Sequence, residues 1–160
     1  RRLMLEHVEA GPGNVTAAAE FNIYCDAEAA RHVFLSPVTK TLLPLDVSST
    51  AELDIGLLDQ LPSESTGVGR VLKAILPGAF RAHRQRLGLE GIHVPEAVAV
   101  VVALHPELLI TEPMFCDVET AGALTHGATV LDRRQVAAGQ PNMDVVMEFD
   151  AHAAIDSMLR

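Results

Sequence analysis

Helical and extended patterns alternate along this chain, and that alternation limits the fold more than any other feature of the sequence. Asp26 is typical of a helix N-cap, and apolar residues at helical spacing follow it up to Ser36-Pro37, which ends the pattern. The next segment, Val38 to Val47, reads as a strand that Pro44 makes irregular or an edge. No internal repeat and no low-complexity linker breaks the order. The sequence therefore predicts one α/β domain over residues 1–160.

Three helical segments are predicted in the middle of the chain. Ser49 to Glu52 has the pattern of a capping box, which predicts a helix with Leu53, Leu57, Leu58 and Leu61 on one face. A longer helix is expected over 67–87, kinked or divided in two at Pro77-Gly78. Pro95 and Glu96 favour a helix start before the apolar run 97–104, although the valine content leaves a buried strand as the alternative.

The remaining predictions concern strands and the end of the chain. Extended segments are predicted at 3–8, 108–118, 129–132 and 145–149. A terminal helix is predicted over 151–159, with Asp150 as its cap.

Composition excludes several classes of protein. The net charge is −9 and no basic stripe is present, so we set nucleic-acid binding aside. The longest apolar run, Ala97 to Leu104, is too short to span a bilayer, which takes about 20 residues.

Cys25 and Cys116 are far apart and form no CxxC pattern, which is typical of reduced thiols in a cytoplasmic protein. Aromatic residues make up only 4%, which favours an interior of Ala, Val, Leu and Ile.

The stretch Gly11 to Asn22 is the candidate binding segment. It is rich in glycine and places Asn14, Glu20 and Asn22 within nine positions. Asn offers both donors and acceptors and an ionised Glu accepts, a mixture that suits a polyhydroxyl ligand such as a sugar. On composition alone, an ordinary polar loop is the stronger alternative, because Asn and Gly are common turn residues.

The same stretch, with three later segments, resembles the inosine-uridine-preferring nucleoside hydrolase family. The resemblance is carried by Gly13 to Thr16 with Ala19 to Ile23, by Leu45 to Ser48, and by Thr111 to Thr120 with Thr129 to Arg134. These segments occur in the family's order and cover essentially the whole chain.

The resemblance implies an open, mostly parallel sheet flanked by helices. It also implies hydrolysis of the N-glycosidic bond of ribonucleosides to ribose and free base, a reaction of base salvage, through a transition state like a ribosyl oxocarbenium ion. In the family, Ca²⁺ holds two ribose hydroxyls and a water, and an aspartate takes a proton from that water. Asn14, Glu20 and Asn22 match the positions that bind ribose hydroxyls.

Further site residues follow from matching the family's His-Asp-Pro-Leu-Ala-Val signature. Aligned without gaps through Leu104, it falls on Pro95 to Val100 and puts Glu96 at a calcium-binding Asp. A gapped alignment would instead put His93 at the histidine near the leaving base, as a candidate acid, and Val94 at the metal. A surface loop histidine is the other interpretation of His93. His83 is a candidate contact for the base, or an exposed helical histidine.

The family's amino-terminal DxDxGxDD cluster, which supplies the general base and most calcium ligands, has no counterpart in this sequence. The chain thus resembles the carboxyl-terminal half of a nucleoside hydrolase, and no catalytic residue is assigned within it. Two hypotheses follow: part of a nucleoside hydrolase, or a non-catalytic remnant that binds ribose or serves in assembly. Because half of a sheet leaves apolar surface open, we expect the chain to pack against another copy or a missing amino-terminal segment.

Overall fold

The computed structural model describes residues 12–134 and 139–159. The predicted strand at 3–8 and Gly11 lie outside these residues. The chain divides into two compact units, each built from two separate stretches of sequence. Unit 1 combines the chain up to Val47 with Leu109–Phe149, and unit 2 combines Ser48–Leu108 with the chain from Asp150 onward.

Helices and mostly short strands alternate along the described residues. The helices, in chain order, are α1 (Phe21–Cys25), α2 (Ala27–Leu35), α3 (Leu45–Ser48), α4 (Leu57–Gln60), α5 (Gly67–Leu87), α6 (Pro95–Leu104) and α7 (Ala151–Leu159). The strands are β1 (Thr41–Leu42), β2 (Glu52–Leu53), β3 (Ile92–His93), β4 (Leu109–Val118), β5 (Thr129–Asp132) and β6 (Met143–Phe149).

The sheet of unit 1 has four strands in the order β1-β6-β4-β5. β1 runs parallel to β6, whereas β4 pairs antiparallel with both β6 and β5. The α/β class is confirmed, but the described sheet is mixed and not mostly parallel. The physical reason is the connection from β4 to β5, which is a short loop that reverses the chain, whereas a parallel pair needs a longer crossover.

Buried and partly exposed side chains alternate along the carboxyl-terminal part of β4, and this alternation explains the core of unit 1. Met114, Cys116 and Val118 are buried, and they pack with β6 and with Ala27 and Phe34 of α2. The intervening side chains of β4 stay at least partly exposed, as the period of two in a strand requires.

Unit 2 has its own core around a two-stranded antiparallel pair, β2 and β3. Leu53, Leu57, Phe80 and Ile92 form its buried centre. Partly buried apolar residues pack against this centre, among them Leu58 of α4, Leu61 just after it, Leu76 of α5 and Ile155 of α7.

Predictions that depended on local signals are confirmed. The Oδ1 atom of Asp26 accepts from the backbone N–H of Ala29 at 2.9 Å and caps α2, and Asp150 accepts from Ala153 at 2.9 Å and caps α7. Pro95 opens α6, so the apolar run 97–104 is helical. The strands at 108–118, 129–132 and 145–149 are present within one or two residues of their predicted bounds.

Two predictions are wrong. The capping box at Ser49 to Glu52 starts no helix, because Glu52–Leu53 pairs with Ile92–His93 as a strand. The predicted strand at Val38 to Val47 is reduced to Thr41–Leu42, and the chain after Pro44 forms the short helix α3. The helix predicted over 67–87 is present as α5. It continues as one helix with Pro77 inside it and is not divided in two, and Gly88 ends it in the left-handed conformation.

Among the described helices, none combines the length and the apolar character that crossing a membrane requires.

Candidate functional site

A compact loop leads into the candidate site in unit 1. The Oγ1 atom of Thr16 accepts from the N–H groups of Ala18 and Ala19 at 3.2 and 3.0 Å, and Gly13 N–H donates to the Ala17 carbonyl at 3.3 Å. A Cβ atom on Gly13 would overlap the carbonyl oxygens of Thr16 and Ala19. Glycine at position 13 is therefore required for the loop to fold back on itself.

Glu20 is the N-cap of α1. Its Oε2 atom accepts from the backbone N–H groups of Asn22 and Ile23 at 2.8 and 3.1 Å. Its Oε1 atom accepts from the side-chain Nδ2 of Asn22 at 3.1 Å. The carboxylate thus satisfies two of the N–H groups that a helix leaves without intrahelical partners.

Asn14 joins the same cluster from the preceding loop. Its Oδ1 atom accepts from the backbone N–H of Phe21 at 2.7 Å. The structure therefore brings together Asn14, Glu20 and Asn22, the three residues predicted to bind ribose. We call these three side chains the α1 clamp.

The clamp keeps hydrogen-bonding capacity after these contacts are made. Among the described residues, the Nδ2 group of Asn14 and the Oδ1 atom of Asn22 have no hydrogen-bond partner, and both residues are exposed. A carboxylate has about four acceptor positions, of which Glu20 uses three. The clamp can therefore offer two donors and several acceptors to a polyhydroxyl ligand.

The other predicted site residues lie in unit 2. His83 is half-buried on α5, and its Nδ1 atom lies 3.1 Å from the Ala79 carbonyl oxygen, which makes Nδ1 the protonated nitrogen. His93 lies in β3 opposite Glu52, and its Nδ1 atom is buried without a hydrogen-bond partner in the described part of the chain. His93 is thus neither an exposed loop residue nor a satisfied core histidine.

Glu96 is exposed in the first turn of α6. Ca²⁺ takes six to eight oxygen ligands, and one glutamate supplies at most two. Within residues 12–134 and 139–159, no group of three or more His, Cys, Asp or Glu side chains is arranged to hold a metal ion.

A cavity of about 820 Å³ on the β4–β5 hairpin was not predicted. Its lining combines charged and apolar side chains, including Arg31, Phe115, Asp117, Glu119, Asp132 and Arg134. Phe115 and Asp117 are the residues of β4 that point away from the core, so the strand's alternation could have indicated this face. The contribution of Arg31 could not have been foreseen, because it is 86 positions from Asp117.

Ion pairs dominate the electrostatics of this cavity. The guanidinium of Arg31 binds Asp117 through two hydrogen bonds of 2.8 and 3.0 Å, which lower the pKa of the Asp117 carboxyl. Arg134 binds Asp132 in the same manner at 2.8 and 2.7 Å. The N–H groups of Ala121 and Gly122 lower the pKa of the Glu119 carboxyl by donating to it.

Comparison with known proteins identifies the family of this chain. The family model described as inosine-uridine preferring nucleoside hydrolase matches residues 7–156. The chain belongs to this family.

Two curated relatives illustrate the match. The chain is 31% identical over 147 residues to the pyrimidine-specific ribonucleoside hydrolase RihA of Shigella flexneri, covering 91% of this chain and 47% of the relative. It is 35% identical over 150 residues to the non-specific ribonucleoside hydrolase RihC of Shigella boydii, covering 94% and 48%. The chain therefore spans about half the length of the curated relatives that it matches.

Solved structures agree with this assignment. The purine-preferring ribonucleoside hydrolase from Gardnerella vaginalis superposes with a TM-score of 0.79 at 29% identity, covering 92% of this chain and 46% of that one. An inosine-guanosine nucleoside hydrolase superposes with a TM-score of 0.76 at 26% identity, covering 93% and 47%.

Proposed function

We propose that this chain supplies the ribose-binding part of an enzyme that hydrolyses the N-glycosidic bond of ribonucleosides, giving ribose and a free base. The observation that carries the proposal is the α1 clamp, in which the Asn22 side chain donates to Glu20 and Asn14 accepts from the backbone N–H of Phe21, which lies between them in sequence. Membership of the nucleoside hydrolase family supports the reaction type.

The chemistry of the clamp fits this reaction. Breaking the bond between ribose and base leaves positive charge on the sugar ring, and a nearby carboxylate stabilises that charge electrostatically. Glu20 supplies the carboxylate. The Nδ2 group of Asn14 and the Oδ1 atom of Asn22 are suited to bind ribose hydroxyls, one as a donor and the other as an acceptor. Both amides also hold the substrate in a fixed orientation.

We assign the general base and most calcium ligands to residues outside this chain. The support is the absence of a DxDxGxDD cluster from the sequence and of a metal-binding group among the described side chains. We retain Glu96 as a proposed additional calcium ligand, His93 as a candidate acid and His83 as a candidate base contact, all by resemblance.

Calorimetry on the 160-residue chain tests the clamp. Ribose and inosine at millimolar concentration are expected to give a saturable heat. Asn14→Ala and Glu20→Gln should each weaken binding about tenfold or more, whereas Glu28→Gln, an exposed acid on the neighbouring helix α2, should not. Absence of any heat from the wild-type chain beyond dilution would contradict the ribose-binding role.

The second candidate function is a non-catalytic domain that binds ribose or serves in assembly. It is favoured by the same lack of a metal-binding group among the described residues. Ribose release from inosine or uridine distinguishes the two. Release by a complete protein that contains this chain supports the enzyme, and binding without release supports the alternative. The isolated chain with Ca²⁺ should release no ribose in either case.

We place the reaction in the cytoplasm and in nucleoside salvage. Cys25 and Cys116 are both free thiols, which is typical of a reducing compartment. Ribose and free base are products that salvage reactions reuse.

A further inference from the structure

The loop between β4 and β5 contacts the helix that carries the α1 clamp. The rings of Tyr24 on α1 and His126 in the loop meet edge to face, with centroids 5.5 Å apart and an interplanar angle of 82°. Gly127, the next residue, is buried and has a φ of 78°. A Cβ atom there would lie 2.9 Å from the Tyr24 Cα and 3.2 Å from the Ala19 Cβ.

These contacts fall on both sides of the clamp segment. Ala19 immediately precedes Glu20, and Tyr24 N–H donates to the Glu20 carbonyl at 2.8 Å to close the first turn of α1. The backbone at Gly127 therefore packs directly against the two residues that bracket Glu20 and Asn22. Only a residue without a side chain permits this approach.

The loop itself is held by its own hydrogen bonds. The carboxylate of Glu119 accepts from Ala121 and Gly122, and Gly127 N–H donates to the Glu119 carbonyl at 2.7 Å. The His126 N–H donates to the Gly122 carbonyl at 2.9 Å.

The ring of His126 is also fixed. Its Nδ1 atom lies 3.1 Å from the Thr120 carbonyl oxygen, so Nδ1 carries the proton and the ring presents a defined edge and face to Tyr24. A loop with this many internal contacts can act as a fixed support for α1.

We infer that Gly127 and His126 are positioning residues, which hold α1 so that the Glu20 cap and the α1 clamp keep the geometry that binds ribose. The expected effect on ribose binding rests on the proposed function, whereas the coupling of Gly127 and His126 to α1 does not depend on it. Displacements of about 1 Å in a binding group are enough to weaken a site strongly. A methyl group at position 127 would lie 2.9 Å from the Tyr24 Cα, which is shorter than an ordinary contact, so α1 or the loop would have to shift to accommodate it.

The test compares two glycines with similar positive φ angles. Gly127→Ala places a Cβ atom against α1, whereas Gly88→Ala, at a φ of 70°, places one where no atom lies within 4 Å. Both variants share the penalty of a left-handed alanine, so any difference between them reports the contact with α1. Each variant of the 160-residue chain is studied by amide hydrogen exchange and by ribose calorimetry.

The expected result has two parts. The amides of Asn22 and Ile23, which donate to Glu20, should exchange about tenfold faster in Gly127→Ala and at the wild-type rate in Gly88→Ala. Ribose affinity should fall about tenfold in Gly127→Ala alone. Unchanged amide exchange in a folded Gly127→Ala would overturn the inference, and so would altered exchange with unchanged ribose affinity.

The readouts separate this inference from the proposed function. If the wild-type chain binds no ribose but Gly127→Ala still accelerates the two amides, the coupling stands and the ribose-binding role fails. If Gly127→Ala does not fold, His126→Ala and His126→Phe replace it. Loss of the ring should accelerate the amides, and phenylalanine, which keeps the contact with Tyr24, should restore most of their protection. Equal exchange rates in both His126 variants and the wild type would overturn the inference.

Discussion

Asn142 shows how much one side chain contributes to the sheet of unit 1. Its Oδ1 atom accepts from Cys116 N–H at 2.8 Å, and its Nδ2 atom donates to the carbonyls of Cys116 and Phe34 at 2.8 and 3.1 Å. The amide therefore joins the end of α2 to the carboxyl-terminal part of β4, just before β6 begins.

We expect Asn142→Ala to lower the free energy of unfolding by about 1–3 kcal/mol, because it leaves partly buried backbone groups without partners. Asn142→Asp should be worse, since its carboxylate would face two carbonyl oxygens. Chemical denaturation measures both effects, with Gln140→Ala, a neighbour in the preceding loop, as the control. A loss below about 0.5 kcal/mol in both Asn142 variants would contradict this assignment.

The two cysteines are expected to differ in reactivity. Cys25 is exposed, whereas Cys116 is buried, and burial raises the pKa of the Cys116 thiol from 9.0 to about 11. With an aromatic disulfide reagent at pH 8, one thiol should react quickly and the second only as the protein unfolds. Cys25→Ser should remove the fast phase. Two fast thiols in the folded wild type would show that Cys116 is accessible.

The same shift predicts an alkaline limit on stability. A group whose pKa is higher in the folded state than in the unfolded state contributes stability at pH values below its unfolded-state pKa. This contribution is lost as the pH rises through its folded-state pKa. Stability should therefore decline between about pH 9 and pH 11. Cys116→Ala should flatten this decline in thermal melts.

At the scale of single elements, the Arg31–Asp117 pair connects α2 to β4. Hydrogen bonds from Arg31 lower the pKa of Asp117 below its usual 3.8. A carboxyl group whose pKa is lower in the folded state contributes stability at pH values above its unfolded-state pKa. This contribution is lost as the pH falls through its folded-state pKa. The pair therefore contributes at neutral pH and not in strong acid.

We expect the melting temperatures of wild type and Asp117→Asn to differ modestly at pH 6 and to converge as the pH falls below about 4. The difference stays small because the Arg31 and Asp117 side chains are 46% and 25% exposed, so solvent screens the pair. Glu28→Gln serves as the control for removing one surface carboxylate. A difference in melting temperature that persists unchanged at pH 2 would indicate that Asp117 stabilises the protein through packing and not through its charge.

Elements with local signals were predictable, and those that depend on distant partners were not. Asp26, Asp150 and Pro95 each specify a helix start through contacts within four residues. Glu52–Leu53, in contrast, becomes a strand only because Ile92–His93 pairs with it. The apolar pattern of Leu53, Leu57, Leu58 and Leu61 correctly indicated burial, although its helix covers only Leu57–Gln60.

The candidate site follows the same rule. Asn14, Glu20 and Asn22 lie within nine positions, so their convergence could be predicted from the sequence and the family resemblance. The contact of Gly127 with Tyr24 joins segments about a hundred residues apart, and no sequence pattern marks it. The same holds for the cavity on the β4–β5 hairpin.

At the scale of the whole molecule, apolar side chains remain exposed on two helices of unit 2. Val68, Val71 and Ile75 on α5 are 63%, 58% and 56% exposed, and Val100 and Leu104 on α6 are 61% and 72% exposed. Spacings of three and four residues place each set on one face of its helix. Continuous apolar faces of this kind usually mark an interface.

We predict that the 160-residue chain self-associates through these faces when no other segment covers them. Small-angle scattering at tens of micromolar should give a mass above that of a monomer. Val71→Asp with Ile75→Asp should reduce that mass. Leu124→Asp should not, since Leu124 is 89% exposed but belongs to a loop of unit 1 and to neither helix. A monodisperse wild-type monomer would contradict the prediction.

The division of each unit between two stretches of sequence has a consequence for synthesis on the ribosome. Unit 1 needs β6, which ends at Phe149, and the core of unit 2 includes Ile155 on α7. Domains that are continuous in sequence can fold one after another as the chain emerges. In this chain neither unit can complete its core until nearly all of the 160 residues have been translated. A stop codon after Phe149 would consequently leave the sheet of unit 1 complete. It would remove α7 and so damage unit 2, although the other stretch of unit 2, Ser48–Leu108, would already have been synthesised.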